Sequence, residues 1–230
     1  GAYRMGLGSE IFSKYGIDFC CGGKKTVKQA CEEKGIDVTL VEQELQKAQK
    51  VVSNRPLPYN EWNLDFLADY IVNTHHTYVK NNLPEISGYA AKVARVHGHN
   101  HPELLRINQL VEAISSEFSS HLVKEEQVLF PYIKRMAAAK NNKESFQQSS
   151  NGSVKGPINM MEIEHESAGK NMSEIRTLSN DFSLPEDACA SYSLLFRLLE
   201  EFEEDLHLHI HLENNTLFPR ALEIEKKLSN

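Results

Sequence analysis

The sequence predicts an all-α protein, a four-helix bundle preceded by a small helical N-terminal unit. Three observations predict it. Glycine and proline together make up 20 of the 230 residues, against roughly 12% in average usage. Runs of β-branched residues are few. Four long stretches carry apolar residues at helical spacing, and their connections are short or polar.

Composition narrows the field further. With 40% hydrophobic and 25% charged residues, a disordered or collagen-like chain is ruled out. No apolar run approaches the roughly 18 residues of a membrane-spanning helix. A net charge of −7 argues against nucleic acid or anionic lipid as the main partner. The four cysteines are too few for a disulfide-stapled scaffold, and no Cys-x-x-Cys pair suggests structural zinc. No signal peptide is visible, so a reducing, cytoplasmic location is expected. The chain opens Gly1-Ala2-Tyr3 without methionine, which points to residues missing ahead of Gly1.

Residues 1–53 form the small unit. Ser9 to Tyr15 is a short apolar-periodic segment ended by Gly16, and Asp18-Phe19-Cys20-Cys21-Gly22-Gly23 is a tight turn. Capping-box patterns at Thr26-Val27-Lys28-Gln29 and Thr39-Leu40-Val41-Glu42 each predict a helix start. Ser53 to Pro58, with two prolines, is the linker. Residues 59–230 form the bundle, with helices over roughly 63–82, 103–137, 157–179 and 187–218. A further helical stretch from Pro84 to about residue 97 places that proline in a first turn. The polar segment from Lys140 to Gly156 is an exposed loop.

A repeat carries the chemistry. His121-Leu122-Val123-Lys124-Glu125-Glu126-Gln127-Val128-Leu129-Phe130-Pro131 and His209-Ile210-His211-Leu212-Glu213-Asn214-Asn215-Thr216-Leu217-Phe218-Pro219 both read H-x-x-x-E-x-x-x-L-F-P, 88 positions apart. A spacing of four puts His and Glu on one helix face. That face is the apolar seam: Ile107, Val111, Ile114, Phe118, His121, Glu125, Val128 in one helix, and Leu195, Leu199, Phe202, Leu206, His209, Glu213, Leu217 in the other. Charge in a core is costly unless paired or bound to metal.

The other two helices extend the pattern. His165 lies in the seam Ile158, Met161, Ala168, Met172, Ile175. Of the adjacent His75 and His76 only one is expected to face inward, and two seams compete: Val72, His76, Val79, Leu83 against Leu64, Ala68, Ile71, His75. Two helix pairs of like design would then supply four histidines and two glutamates to one cavity. Imidazole and carboxylate without thiolate suit iron, and carboxylates from facing helices suit bridging between two metals.

These residues resemble a hemerythrin-like di-iron domain. Asp18 to Gly23 is similar to the D-[FY]-C-C-G-G turn of a small ScdA-type N-terminal domain. Together they resemble the repair-of-iron-centres family, the iron–sulfur cluster repair di-iron proteins, over nearly the whole chain. The resemblance chooses His76 over His75 and brings in His97. It implies a metal set of His76, His97, His121, His165 and His209, with Glu125 and Glu213 bridging two non-haem irons in a carboxylate- and oxo-bridged centre. It implies repair of clusters damaged by oxidative or nitrosative stress, by iron donation, with damaged iron–sulfur proteins as transient partners. A nitric oxide reductase and an oxygen-binding carrier or sensor would share the same site.

Other residues are weighed beside these. Cys20 and Cys21 read as a buried turn, as a redox or iron-handling pair near Lys24 and Lys25, or as a docking point for a damaged cluster. Glu117, one turn before His121, could accept its second ring N–H, and Glu164 could line access to the metals. His207 and His211, about 200° around the helix from His209, read as solvent-facing. His99 and His101 read as loop or cap residues, Cys31 as structural, and Cys189 as part of a helix start. The small unit, about fifty residues, is too short to be robust alone, so it is expected to dock onto the bundle or a second subunit, with a homodimer as the simplest arrangement.

Overall fold

The computed structural model describes residues 15, 17, 27–41, 43–44, 57–142, 144, 146 and 153–229. The Cys20-Cys21 turn, residues 53–56 of the linker and residues 143, 145 and 147–152 of the expected 140–156 loop lie outside them, and the ends of that loop, 140–142 and 155–156, are helical. Among the described residues there is no strand, and no helix is long and apolar enough to cross a membrane.

In the small unit, α1 spans Val27–Lys34. It ends at Gly35, whose φ of 66° lets the Ile36 N–H reach the Cys31 carbonyl at 2.9 Å. Residues 38–41 are helical. Their cap is Asp37, not Thr39: the Asp37 carboxylate accepts the Thr39 N–H at 2.9 Å. Cys31 is fully buried with Ile17 and Val41.

The bundle is built from four helical rods. The first joins α2 (Leu64–Ile71), a π-helical turn (Val72–His76) and α3 (Thr77–His97). Pro84 lies inside α3 rather than at a start. The second joins α4 (Glu103–Lys124), a π-turn (Glu125–Leu129) and α5 (Phe130–Asn142). The third is α6 (Lys155–Leu178). The fourth joins α7 (Ala190–Leu212), a π-turn (Glu213–Leu217) and α8 (Phe218–Leu228), running past the expected end at 218.

Three rods thus carry a π-turn, a rare widening that inserts one residue into the helical ladder. In two of them the leucine of the Leu-Phe-Pro tail closes the turn and Phe-Pro follows directly. A proline has no N–H to donate and its ring crowds the carbonyl four residues back. The wider turn before Pro131 and Pro219 gives that ring room.

Apolar side chains form two separate clusters. One contains Val79, Ile86, Ile107, Ile114, Phe118, Met172, Leu199 and Phe202. The other contains Leu67, Ile71, Ile133, Met136, Ile158, Phe218 and Ala221. Each fully buried Leu, Ile or Phe contributes about 1.5–3 kcal/mol. These two cores hold the bundle together, and each rod places at least one buried histidine between them.

Candidate metal centre

Between the two cores lie His75, His76, His121, Glu125, His165, His209 and Glu213, all at most 2% exposed. Six of them fall into two overlapping groups able to hold an ion: His76, Glu125, His209, Glu213, and His121, Glu125, His165, Glu213. Within each group one ligand atom per residue lies within 4.8 Å of the others. Glu125 and Glu213 belong to both.

The distances are those of a cage with its ring nitrogens turned inward. His76 Nε2 lies 3.3 Å from Glu125 Oε2 and 3.8 Å from Glu213 Oε1. His121 Nε2 lies 3.3 Å from Glu125 Oε2. His165 Nε2 approaches Glu213 Oε2 and His121 Nε2, each at 3.1 Å. His209 Nε2 meets Glu213 Oε1 at 3.1 Å.

Outer partners fix three of these rings. His76 donates its Nδ1–H to Glu126 at 2.9 Å, and Lys80 grips the same carboxylate at 2.6 and 2.8 Å. His121 donates to Glu164 at 2.8 Å, and Lys124 holds that carboxylate too. His165 meets the Asn214 amide oxygen at 2.9 Å. Such partners set the tautomer and make Nε2 the ligating nitrogen. Glu164 therefore takes the part expected of Glu117, which instead accepts from Ser167 at 3.2 Å.

The residues fit a bound cation. Neither oxygen of Glu125 receives a hydrogen bond, nor does Glu213 Oε2 or His76 Nε2, and all are buried. Buried polar atoms are otherwise almost always satisfied. Without a cation, protons balance the charge. Burial works against a proton on His76, but Glu125 and Glu213 outweigh it and raise its pKa to about 10. For His121, burial is outweighed chiefly by Glu125, giving about 9. Burial opposes the charge on Glu213, yet His209, His165 and His76 hold it well below the ordinary carboxylate range. Glu125 is also lowered, with burial and Glu213 opposing and His121 and His76 prevailing. For His209 burial prevails and lowers the pKa.

His75 is buried like His76, because the π-turn at Val72–His76 lets two adjacent residues turn inward, where the sequence pattern admits only one. His97 is in neither group. It sits 21 residues beyond His76 on the same rod, about 30 Å along it. There its Nε2 lies 3.1 Å from the Sγ of Cys189. That hydrogen bond is the largest reason the Cys189 thiol is held below its usual pKa. Cys189 caps α7, and sequence reasoning finds no chemistry in it, because its partner lies 92 positions away. His101 bridges Asp187 at 2.8 Å and Glu103 at 3.3 Å. His99 is exposed, His207 half-buried. His211 is not solvent-facing: it is half-buried, and burial lowers its pKa to about 4.

An all-helical bundle with a buried cage of four histidines and two shared glutamates defines a class, the hemerythrin-type cation-binding bundles. Residues 67–221 match the hemerythrin HHE cation binding domain. Residues 4–49 match ScdA_N, described as a domain of unknown function (DUF542). The chain is 36% identical over 217 residues to the iron-sulfur cluster repair protein YtfE of Escherichia coli O1:K1, covering 93% of this chain and 90% of that one. The same figures hold for YtfE of Escherichia coli SMS-3-5 and of Escherichia fergusonii. The chain belongs to the hemerythrin-like iron–sulfur cluster repair family.

Proposed function

We propose that this protein restores damaged iron–sulfur clusters, and that its bundle holds two irons which it donates. The observation that carries the reading is the pair of ligand groups sharing Glu125 and Glu213, in a chain similar over 93% of its length to proteins named for cluster repair. His76 and His209 serve one iron and His121 and His165 the other, with both glutamates bridging.

On this reading iron is cargo as well as occupant. When bound it supplies the ferrous ion that a depleted cluster lacks. The chain's own residues present and release it. Glu126 and Glu164 aim His76 and His121 inward, and Lys80 and Lys124 pin those carboxylates in turn. A cage without thiolate holds ferrous iron less firmly than the cysteines of a cluster site, so transfer runs downhill to the client. Partners are iron–sulfur proteins with incomplete clusters, met transiently in the cytoplasm. A reducing compartment suits Cys189, an exposed thiol outside any disulfide. Cys20 and Cys21 serve repair rather than iron holding, since the bundle has a ligand set without sulfur.

The test is anaerobic mixing of the reduced, iron-loaded protein with an iron-depleted cluster protein. Cluster absorbance in the client should return as iron leaves the bundle. Nitrous oxide production from added nitric oxide, with no iron reaching the client, would overturn donation in favour of a nitric oxide reductase. A Cys20→Ser, Cys21→Ser double variant should keep its iron and lose repair.

A further inference from the structure

His75 is the buried histidine that the cage leaves out. It is 2% exposed, its ring lies 5.6 Å from that of His209 at 11° from parallel, and Tyr70 meets it edge-on. Its Nδ1–H donates to Asp205 Oδ1 at 2.8 Å, while its Nε2 makes no hydrogen bond. In a neutral imidazole that donates through Nδ1, Nε2 is a bare lone pair. A buried lone pair with nothing to accept is rare in a folded protein. The arrangement repeats that of His76 on Glu126 and His121 on Glu164, where the freed Nε2 faces the cage. His75 is therefore oriented as a metal ligand, with its carboxylate behind it, yet stands outside both ligand groups.

Asp205 continues outward from it. Its side chain is 17% exposed, and Oδ2 is buried without a hydrogen bond. Toward the N-terminus of α7, Glu201 and Glu204 are exposed. Burial pushes the nearby Tyr78 hydroxyl up to about 12, and the charges of Asp205, Glu201 and Glu204 add to it. Exposure and negative charge thus grow from His75, through Asp205, to the outer face of α7. A cation leaving a buried cage needs a donor at each step, because an uncompensated charge in the core is costly.

We propose that His75 and Asp205 form a hand-off station for ferrous iron between the cage and the bundle surface. His75 Nε2 takes the ion from the group of His76 and His209, and Asp205 passes it to the acidic face of α7. The ion stays ferrous throughout; one nitrogen or oxygen ligand replaces another, and no electron moves. The station rests on the reading of iron as cargo. It predicts a difference in rate, not in the amount of iron held.

The experiment loads the full chain anaerobically with ferrous iron and mixes it with excess ferrous chelator, following the coloured complex by stopped flow. Wild type is compared with His75→Ala, with His75→Gln, which keeps a donor for Asp205, and with Asp205→Asn. All should hold as much iron as wild type and release it about tenfold more slowly or worse, the scale on which partners of metal sites act. Because Gln and Asn preserve size and hydrogen bonding, the test remains decisive even if the alanine variant fails to fold. Release at the wild-type rate in these variants overturns the station. Iron content lost in His75→Gln also overturns it, making His75 a resident ligand. Chelator release involves no client, so failure of cluster repair by the wild-type protein would sink the donor reading while leaving this comparison legible.

Discussion

On the side of the first and second rods, His76 and His121 each donate Nδ1–H to a carboxylate that a nearby lysine also grips. On the side of the third and fourth, His165 Nδ1 meets the neutral Asn214 amide and His209 Nδ1 has no hydrogen bond. A carboxylate behind an imidazole makes it a stronger donor to a cation; an amide does so less. Yet each ligand group draws one histidine from either side, His76 with His209 and His121 with His165. The asymmetry between halves of the bundle therefore becomes symmetry between the two ligand groups. Each ligand group combines a charge-backed imidazole, a weaker one and the same two glutamates, so on the two-iron reading the two groups should hold their ions about equally tightly.

The shared glutamates are where this balance breaks most completely. Glu125→Leu or Glu213→Leu should weaken binding at both ligand groups together, because each carboxylate belongs to both. Leucine suits a core seam, so circular dichroism should show the helices retained while elemental analysis shows both irons gone. Loss of half the iron would mean that the carboxylate serves one position.

A smaller effect separates the halves. Glu126→Gln and Glu164→Gln should each weaken ferrous affinity by about 10–100-fold, the usual cost of losing a carboxylate behind a ligand histidine. Asn214→Ala removes a neutral hydrogen bond and should cost less, about tenfold or below. Chelator competition measures all three. Equal losses would erase the distinction between charge-backed and amide-backed histidines.

The smallest effect on iron is expected at His97. His97→Ala should leave iron content unchanged, since the residue lies about 30 Å along its rod from His76. It should instead slow alkylation of Cys189 at neutral pH several-fold, because the imidazole that favours the thiolate is gone. Iron loss in this variant would bring His97 back toward the cage.

Much of the bundle is legible in the sequence, and the places where reading fails share one cause. Four helical rods, the doubled H-x-x-x-E motif and the seam position of His165 follow from 3.6-residue periodicity. The π-turns do not, because each shifts the seam by one residue. Leu64, Ala68, Ile71 and His75 are buried before and within the first π-turn, and His76, Val79 and Leu83 within and after it. The two competing seams are both real and are spliced there, so no choice between His75 and His76 is available to a single period. The same shift explains Val128, expected in the core but 53% exposed, while Leu129 is buried. Glu126 and Glu164 could not be found by local spacing, since the histidines they hold lie 50 and 43 positions away. Glu117 is one turn from His121 and turns elsewhere. Pro84 carries a first-turn signal, but the long rod absorbs it.

On the proposed reading one cage holds two ions through shared carboxylates. Anaerobic titration of the full chain with ferrous iron tests it most directly, read by bound iron per chain and by magnetic coupling after oxidation. Saturation at about two irons per chain, coupled to one another, is the expected result. Saturation at one, or two irons that behave independently, would contradict it.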